Sequence, residues 1–232
     1  MNFAIILSGG IGTRMRKDGF PKQYIKINGK TILECTIKIF NECNLIDEIV
    51  VVMAEVWRSR LEEDIKKKSD KKIKFALPGE SRQESILSGL AKCMEESDDY
   101  RDKVIIHDAV RPLVSQALIT KCLDKLPEYD GCMPVLQVPD ATYFSEDGVH
   151  ISQLLDRNKL YAGQAPEAFM LHKYYELNYK AEQSVIKNTL GTSEIAFNAG
   201  FNICMIPGED SNFKLTTPID LERFKIIMGG TK

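Results

Sequence analysis

Short apolar runs, rich in β-branched residues and separated by longer stretches of helical period, constrain this chain more than any single motif does. The runs fall at Phe3–Leu7, Ile49–Met53, Ile73–Leu77, Val104–His107, Met133–Val138 and Ile203–Ile206, with amphipathic segments at about 31–43, 55–68, 82–97 and 115–126 between them. Runs that are apolar on both faces suit strands buried on both faces. Their alternation with helices predicts an α/β fold built on an open, largely parallel sheet.

Local signals place the helix ends. Ser81-Arg82-Gln83-Glu84 is a capping box, followed by Ile86, Leu87, Leu90 and Met94 on one face. Thr217-Pro218-Ile219-Asp220 opens a last helix with proline in its first turn, and Leu221, Phe224, Ile227 and Met228 form its apolar stripe. The stretch 138–160 breaks the alternation and carries Asp147-Gly148, a hairpin-type turn, so it reads as a β-arm. The basic run Lys66-Lys67-Lys68 with Lys71-Lys72 reads as a solvated helix end. With no linker or repeat, residues 1–232 read as a single domain.

Composition narrows the partners. Against 33 acidic residues stand 31 basic ones, for a net charge of −2, which gives no electrostatic case for nucleic acid or a membrane surface as a partner. Any anion site must therefore be a local cluster. Cysteines 35, 43, 93, 122, 132 and 204 form no CxxC pair and mostly sit in apolar runs, as reduced core thiols do. A strand begins within two residues of the start and no apolar run approaches the ~18 residues that span a bilayer, so a cytoplasmic location is expected.

The first strand runs into LSGGIGTRMRKDGFPKQ, residues 7–23. A glycine-rich turn at a strand's carboxyl end lets backbone N–H groups approach a phosphate, and Arg14 and Lys22 can add charge to it. The spacing fits neither GxxxxGK[ST] nor a full GxGxxG, because Met15 stands in the third glycine's place. A glycine-rich surface turn with scattered charge remains open on this stretch alone. Where a second buried strand ends, His107-Asp108-Ala109-Val110-Arg111-Pro112 places a carboxylate able to hold Mg²⁺ beside phosphates, or merely to form a turn. Lys214 precedes the last helix, and Arg157 leaves the arm. Together Arg14, Lys22, Arg111, Arg157 and Lys214 could form the required cationic site. No Ser-His-Asp order, zinc spacing or nucleophilic-cysteine context competes.

GGIGTRM followed by PKQ, then HDAVRP, LYAGQAPEAF and NFKLTTPIDL, resembles in order and spacing the small cytidylyltransferases that act on methylerythritol phosphate and ribitol 5-phosphate. The resemblance covers essentially the whole chain. It implies a Rossmann-like three-layer nucleotidyltransferase fold with a protruding β-arm at 138–160 that exchanges across a homodimer. It also implies transfer of CMP from CTP to a polyol phosphate, with Mg²⁺ as cofactor. By motif, Leu7, Ser8, Gly9, Gly10, Ile11, Gly12 and Thr13 resemble the triphosphate cradle, with Arg14, Lys22 and Lys214 as its catalytic cations. Gly79 and Ser85 resemble the cytosine and ribose contacts, and Asp108 and Ala109 the ribose and metal neighbourhood. Arg111, Thr142, Arg157, Gln164 and Thr192 resemble acceptor contacts, some of them reaching across the dimer.

Thr13 before the arginine, and Gln164 before Ala-Pro, lean towards the ribitol-phosphate branch. Three departures lie on the acceptor side. Ala165-Pro166-Glu167 stands where the family has Thr-Pro-Gln, Thr192-Ser193 where it has Thr-Asp, and Asp140-Ala141-Thr142 where it has Asp-Thr. The nucleotide-side motifs are intact. The expectation is a conserved CTP chemistry with a retuned acceptor pocket, taking ribitol 5-phosphate or a related polyol phosphate. The methylerythritol-phosphate enzyme and a non-catalytic CTP-binding subunit are the competing readings.

Overall fold

The computed structural model describes residues 1–10 and 20–229. Its strands are β1 (Asn2–Leu7), β2 (Lys26–Ile27), β3 (Lys30–Thr31), β4 (Glu48–Val52), β5 (Lys72–Ala76), β6 (Lys103–Asp108), β7 (Gly131–Gln137), β8 (Thr142–Phe144), β9 (Gln153–Leu155), β10 (Tyr161–Gly163), β11 (Glu167–Met170) and β12 (Ile203–Pro207). Its helices are α1 (Ile32–Asn41), α2 (Glu55–Lys67), α3 (Arg82–Met94), α4 (Gln116–Asp124), α5 (Leu171–Lys180), α6 (Gln183–Asn188), α7 (Thr192–Asn198) and α8 (Pro218–Ile227).

The central sheet runs β5–β4–β1–β6–β11–β7, with parallel pairing from β5 through β6. Strand β11 lies antiparallel between β6 and β7, β10 runs antiparallel to residues 135–137 of β7, and β12 pairs parallel with β7. The sheet is therefore largely parallel, as its near-continuous apolar runs require.

Two cores form because alternate residues of each strand face opposite sides. Ala4, Ile6, Ile49, Val51 and Ile105 pack under Leu33, Ile37 and Phe40 of α1 and Leu118, Ile119 and Cys122 of α4. Phe3, Ile5, Val50, Val52, Val104 and Ile106 pack under Ile86 and Leu90 of α3, Tyr174 of α5 and Ile195 of α7. This three-layer arrangement gathers the carboxyl ends of the parallel strands β1, β4, β5 and β6 along one edge of the sheet.

Both expected caps form. Ser81 accepts from the Glu84 N–H and Glu84 returns the bond, and Thr217 with Asp220 does the same ahead of Pro218. Each such cap stabilises its helix by about 1 kcal/mol. On α8, Phe224 is buried and Leu221 and Met228 pack beside it, but Ile227 is half exposed, so the stripe is one residue narrower than its spacing predicts. Residues 142–155 form the hairpin β8–β9, with Asp147 accepting from the N–H groups of Val149 and His150 around Gly148. The lysine run is spent on surface ion pairs, Lys66 with Glu62, Lys67 with Glu63 and Lys68 with Glu34. All six cysteines are free thiols, five of them buried. No helix among the described residues is long and apolar enough to cross a membrane.

Candidate active site

Four segments meet at the carboxyl edge of the sheet: the turn after β1, the turn between β5 and α3, the end of β6, and residues 208–217 after β12. The sheet ladder extends just past the strands, with Ser8 N donating to Val52 O at 2.8 Å and Ala109 N to Leu7 O at 3.0 Å. The turn after β1 therefore leaves from a fixed point.

That turn is held by the residues after Pro21. The Gln23 side-chain amide, buried, donates to Ser8 O at 2.8 Å and to Gly10 O at 2.7 Å, and the Tyr24 hydroxyl donates to Ser8 O at 3.0 Å. Gly9 is required by packing, since a Cβ there would stand 2.4 Å from Pro78 Cβ. No atom of the described residues lies within 4 Å of the place a Cβ on Gly10 would take. Lys22 is half-buried at the start of the clamping turn. Ile11, Gly12, Thr13 and Arg14 lie outside the described residues.

Gly79 and Ser85 are coupled. The Gly79 N–H donates to Ser85 Oγ at 3.1 Å, and Ser85 Oγ in turn donates to Ser81 O at 3.0 Å. A Cβ on Gly79 would fall 2.2 Å from Glu84 Cβ, so the turn packs directly on the first turn of α3.

At the end of β6, Asp108 is the focus of three cations. Arg82 Nη2 lies 3.2 Å from Oδ1, Lys214 Nζ 2.9 Å from Oδ2 and Arg111 Nε 3.6 Å from Oδ2. Burial by itself would raise the Asp108 pKa, but Arg82, Lys214 and Arg111 outweigh it and hold the carboxyl far below the usual range. Burial pulls the Arg111 pKa down, with Asp108 opposing it. The 208–217 segment is tied in by three bonds: Arg111 Nη1 to Asn212 O at 2.6 Å, Asn212 Nδ2 to Ala165 O at 2.7 Å, and Leu215 N to Val110 O at 2.9 Å. Three cations gathered around Asp108 make the locally positive site that a chain of net charge −2 needs for a polyanion.

His107 points to the opposite face of the sheet. It is fully buried against Phe40, its Nε2 is 3.0 Å from Arg111 O, and burial lowers its pKa to about 4. It is a neutral core histidine. Ala109 is buried, and its carbonyl accepts from Thr36 Oγ1 at 2.8 Å.

Glu167, opposite Ile106 in the β11–β6 register, shares its face with Ile106 and Asp108. It accepts a hydrogen bond from Ser193 Oγ, while Arg82 Nη1 donates to Thr192 Oγ1. Burial raises the Glu167 pKa; the Ser193 and Thr192 hydroxyls and Arg82 oppose that. Arg82 thus spans from Asp108 to the start of α7. The Gln164 amide is spent within the chain, donating to Glu209 O at 3.0 Å and accepting from Glu209 N at 3.1 Å, which anchors the segment carrying Lys214. Thr142 and Arg157 lie on the arm, bonded to Asp140 O and Pro139 O, and join no hydrogen bond or ion pair of the Asp108 cluster among the described residues.

Among the described residues no group of three or more His, Cys, Asp or Glu could hold a metal ion by itself. A single carboxylate beside a cationic cluster fits a Mg²⁺ that takes most of its ligands from phosphates and water.

The family model of 2-C-methyl-D-erythritol 4-phosphate cytidylyltransferase, IspD, matches residues 2–230. The chain belongs to this cytidylyltransferase family. Its members are nucleotidyltransferases, and so is this chain. It is 31% identical over 229 residues to a ribitol-5-phosphate cytidylyltransferase of Vibrio parahaemolyticus, covering 98% of this chain and 96% of that one. It is 34% identical over 231 residues to the bifunctional ribulose 5-phosphate reductase/CDP-ribitol pyrophosphorylase Bcs1 of Haemophilus influenzae, covering 95% of this chain and 46% of that protein. The 4-diphosphocytidyl-2C-methyl-D-erythritol synthase of Anaerococcus prevotii superposes with a TM-score of 0.82 at 24% identity, over 98% of this chain and 96% of that one, and confirms the fold.

Three residues of the cluster were not singled out as site residues by sequence reasoning. Arg82 carried a signal: a cation at the first position of a helix opposes the helix dipole and calls for an anionic partner. Gln23 sat inside the PKQ motif, where only the lysine's charge drew attention. Glu167 was visible as a departure, but its contact with Ser193 depends on β11 and α7 meeting across 26 residues.

Proposed function

We propose that this cytidylyltransferase transfers CMP from CTP to an alditol phosphate, ribitol 5-phosphate or a related polyol phosphate, giving CDP-alditol and pyrophosphate. The observation that carries the chemistry is the convergence of Arg82, Arg111 and Lys214 on Asp108 beside the clamped glycine turn. Support for the acceptor comes from relatives named ribitol-5-phosphate cytidylyltransferase, at 29–31% identity over 98% of this chain.

An alditol phosphate brings its own nucleophile, an anionic phosphate oxygen. That oxygen forms a bond to the α-phosphorus of CTP while the α–β bridging bond breaks, and pyrophosphate leaves with the bonding pair. No proton must move for this to balance. What the step needs is relief of repulsion between two polyanions and neutralisation of charge on the pentacoordinate phosphorus. In this reading the 8–15 turn with Lys22 and Arg14 receives the triphosphate, and Lys214 faces the α-phosphate. Arg111 and Thr192 lie on the acceptor side. Mg²⁺, held by Asp108 and the phosphates, would supply further positive charge to the triphosphate.

The arm supports a homodimer. Val149, Ile151 and Leu154 on the hairpin are 80%, 67% and 65% exposed, an apolar surface that a second copy would cover while bringing Arg157 and Thr142 to the neighbouring site. A cytoplasmic enzyme of this kind would feed CDP-alditol to assembly of a surface polymer.

The test is pyrophosphate release from CTP and Mg²⁺ with methylerythritol 4-phosphate, ribitol 5-phosphate, arabinitol 5-phosphate, mannitol phosphate and glycerol 3-phosphate. Turnover with an alditol phosphate and not with methylerythritol 4-phosphate is expected. Preference for methylerythritol 4-phosphate would overturn the acceptor, and CTP binding without turnover would overturn the enzymatic reading.

A further inference from the structure

The departures at 167 and 193 meet in space. Ser193, at the second position of α7, donates its hydroxyl proton to the Glu167 carboxylate at the start of β11. Read separately, one position has gained an acid and the other has lost one. In contact, they are a single exchange: the acidic group has moved from the helix to the strand, and the local charge is unchanged.

The new position is not neutral ground. Glu167 shares a sheet face with Asp108, and its charge is felt by Arg82, Arg111 and Asp108. Thr192, next to Ser193, takes the other end of Arg82. A carboxylate has about four lone-pair sites. The Ser193 hydroxyl occupies part of that capacity and fixes the group's orientation. The remainder suits the hydroxyls of a polyol, which are donors, and rejects a methyl group, which would strand the charge without a partner.

We propose that Glu167, oriented by Ser193, reads the hydroxyls of the acceptor and sets the preference for a linear polyol phosphate over a methyl-branched one. This rests on the alditol-phosphate reading above. Glu167 then contacts substrate, whereas Ser193 is a positioning residue that acts through it.

The test is steady-state kinetics of the full chain with ribitol 5-phosphate and with methylerythritol 4-phosphate, for the unaltered protein, Glu167→Gln, Ser193→Ala and the double variant Glu167→Gln/Ser193→Asp. Loss of a charged hydrogen bond to substrate is expected to lower kcat/KM for ribitol 5-phosphate by about 10- to 100-fold in Glu167→Gln. The loss should fall mainly on the acceptor KM, leaving the KM for CTP within about twofold. Ser193→Ala should shift the same acceptor parameter by a smaller factor. The double variant should regain part of the lost acceptor affinity and narrow the preference between the two acceptors. If Glu167→Gln does not fold, as judged by its melting curve, Ser193→Ala decides.

Unchanged acceptor KM and acceptor preference in these variants, or equal losses towards CTP and acceptor, would overturn the inference while leaving the alditol reading intact. Failure of the unaltered protein to turn over any alditol phosphate would instead sink that reading, and this inference with it.

Discussion

Replacing Asp108 with Asn removes one negative charge and almost no volume, and so isolates what the carboxylate does among its three cations. Arg82, Lys214 and Arg111 lie 3.2, 2.9 and 3.6 Å from its oxygens. Removing one partner of a buried ion pair costs ~3–5 kcal/mol. That figure is too large here, because Lys214 is 38% exposed and regains solvent when its partner goes. Arg82, 29% exposed, keeps Thr192 and the nearby Glu167, whereas Arg111, 12% exposed, loses its nearest counter-charge with the least solvent to replace it. The expected loss is therefore about 2 kcal/mol, with a drop in Tm of roughly 4–8 °C for a chain of this size.

Binding should move the other way. The variant cluster carries one more net positive charge. For a phosphate at about 5 Å and an effective dielectric of about 20, that charge is worth ~3 kcal/mol before solvent and salt reduce it. A retained gain of about 1 kcal/mol would tighten Mg²⁺-free CTP binding by about fivefold. Turnover should fall by about 100-fold, as when a preorganised electrostatic contact is removed. Calorimetric titration of CTP in chelator, with melting curves at pH 5 and pH 8, reads both effects. The folded pKa of Asp108 lies below its unfolded value, so its contribution is fully present above about pH 4 and is lost only as the pH falls below that. The difference in Tm should accordingly be the same at pH 5 and pH 8. An unchanged Tm together with weaker CTP binding in chelator would refute the account of Asp108 as the counter-ion of a preformed anion site.

Three other outcomes follow from the same geometry. Gly79→Ala places a Cβ 2.2 Å from Glu84 Cβ and should lower Tm, at an overpacking cost of about 1–3 kcal/mol, whereas Gly10→Ala meets no atom of the described residues and should leave Tm unchanged while weakening CTP binding. Gln23→Glu sets a carboxylate against the Ser8 and Gly10 carbonyls and should raise the KM for CTP about tenfold or more; an unchanged KM would mean that the clamp does not shape the turn. The pKa of His107 is lowered to about 4 from an ordinary 6.5, so the unfolded chain takes up the proton first and stability is lost as the pH falls from about 6.5 to 4. His107→Gln should flatten stability across that window, as measured by urea unfolding at several pH values.

The strands and helices that pack through simple periodicity were legible in the sequence. Each of the six apolar runs is a strand of the central sheet, and the four amphipathic stretches are α1 to α4. Residues 161–202 were not legible. Strand β11 has only four residues and follows a proline, and α6 and α7 have six and seven residues, too short to show a helical period. Sequence reasoning placed Arg111 and Lys214 in one cationic site with Arg14, Lys22 and Arg157 and read Asp108 as a strand-end carboxylate; the structure brings Arg111 and Lys214 onto Asp108 and leaves Arg157 on the arm. Motifs could not show that Gln164 turns to the Glu209 backbone, because that bond forms across 45 residues. Nor could motifs find Arg82's double engagement, since Thr192 is 110 residues away. Local chemistry can be read along a chain, whereas pairings between distant turns are set by how the sheet brings them to one edge.

The placement of His107 bears on mechanism. It stands beside Asp108 in sequence and is the one histidine near the cluster, yet strand alternation turns it into the opposite core, where it stays neutral. No base is needed if the nucleophile is a phosphate oxygen that is already ionised. The pH dependence of kcat/KM for the acceptor should then follow the second ionisation of the acceptor phosphate, near pH 6, and not a group of the protein. A fluorinated acceptor phosphonate with a lower second pKa would move the acid limb of the profile to lower pH, by the difference between the two pKa values. A limb that stayed in place when the acceptor was changed would assign the ionisation to the protein, with Glu167, whose pKa burial raises, as the first group to test.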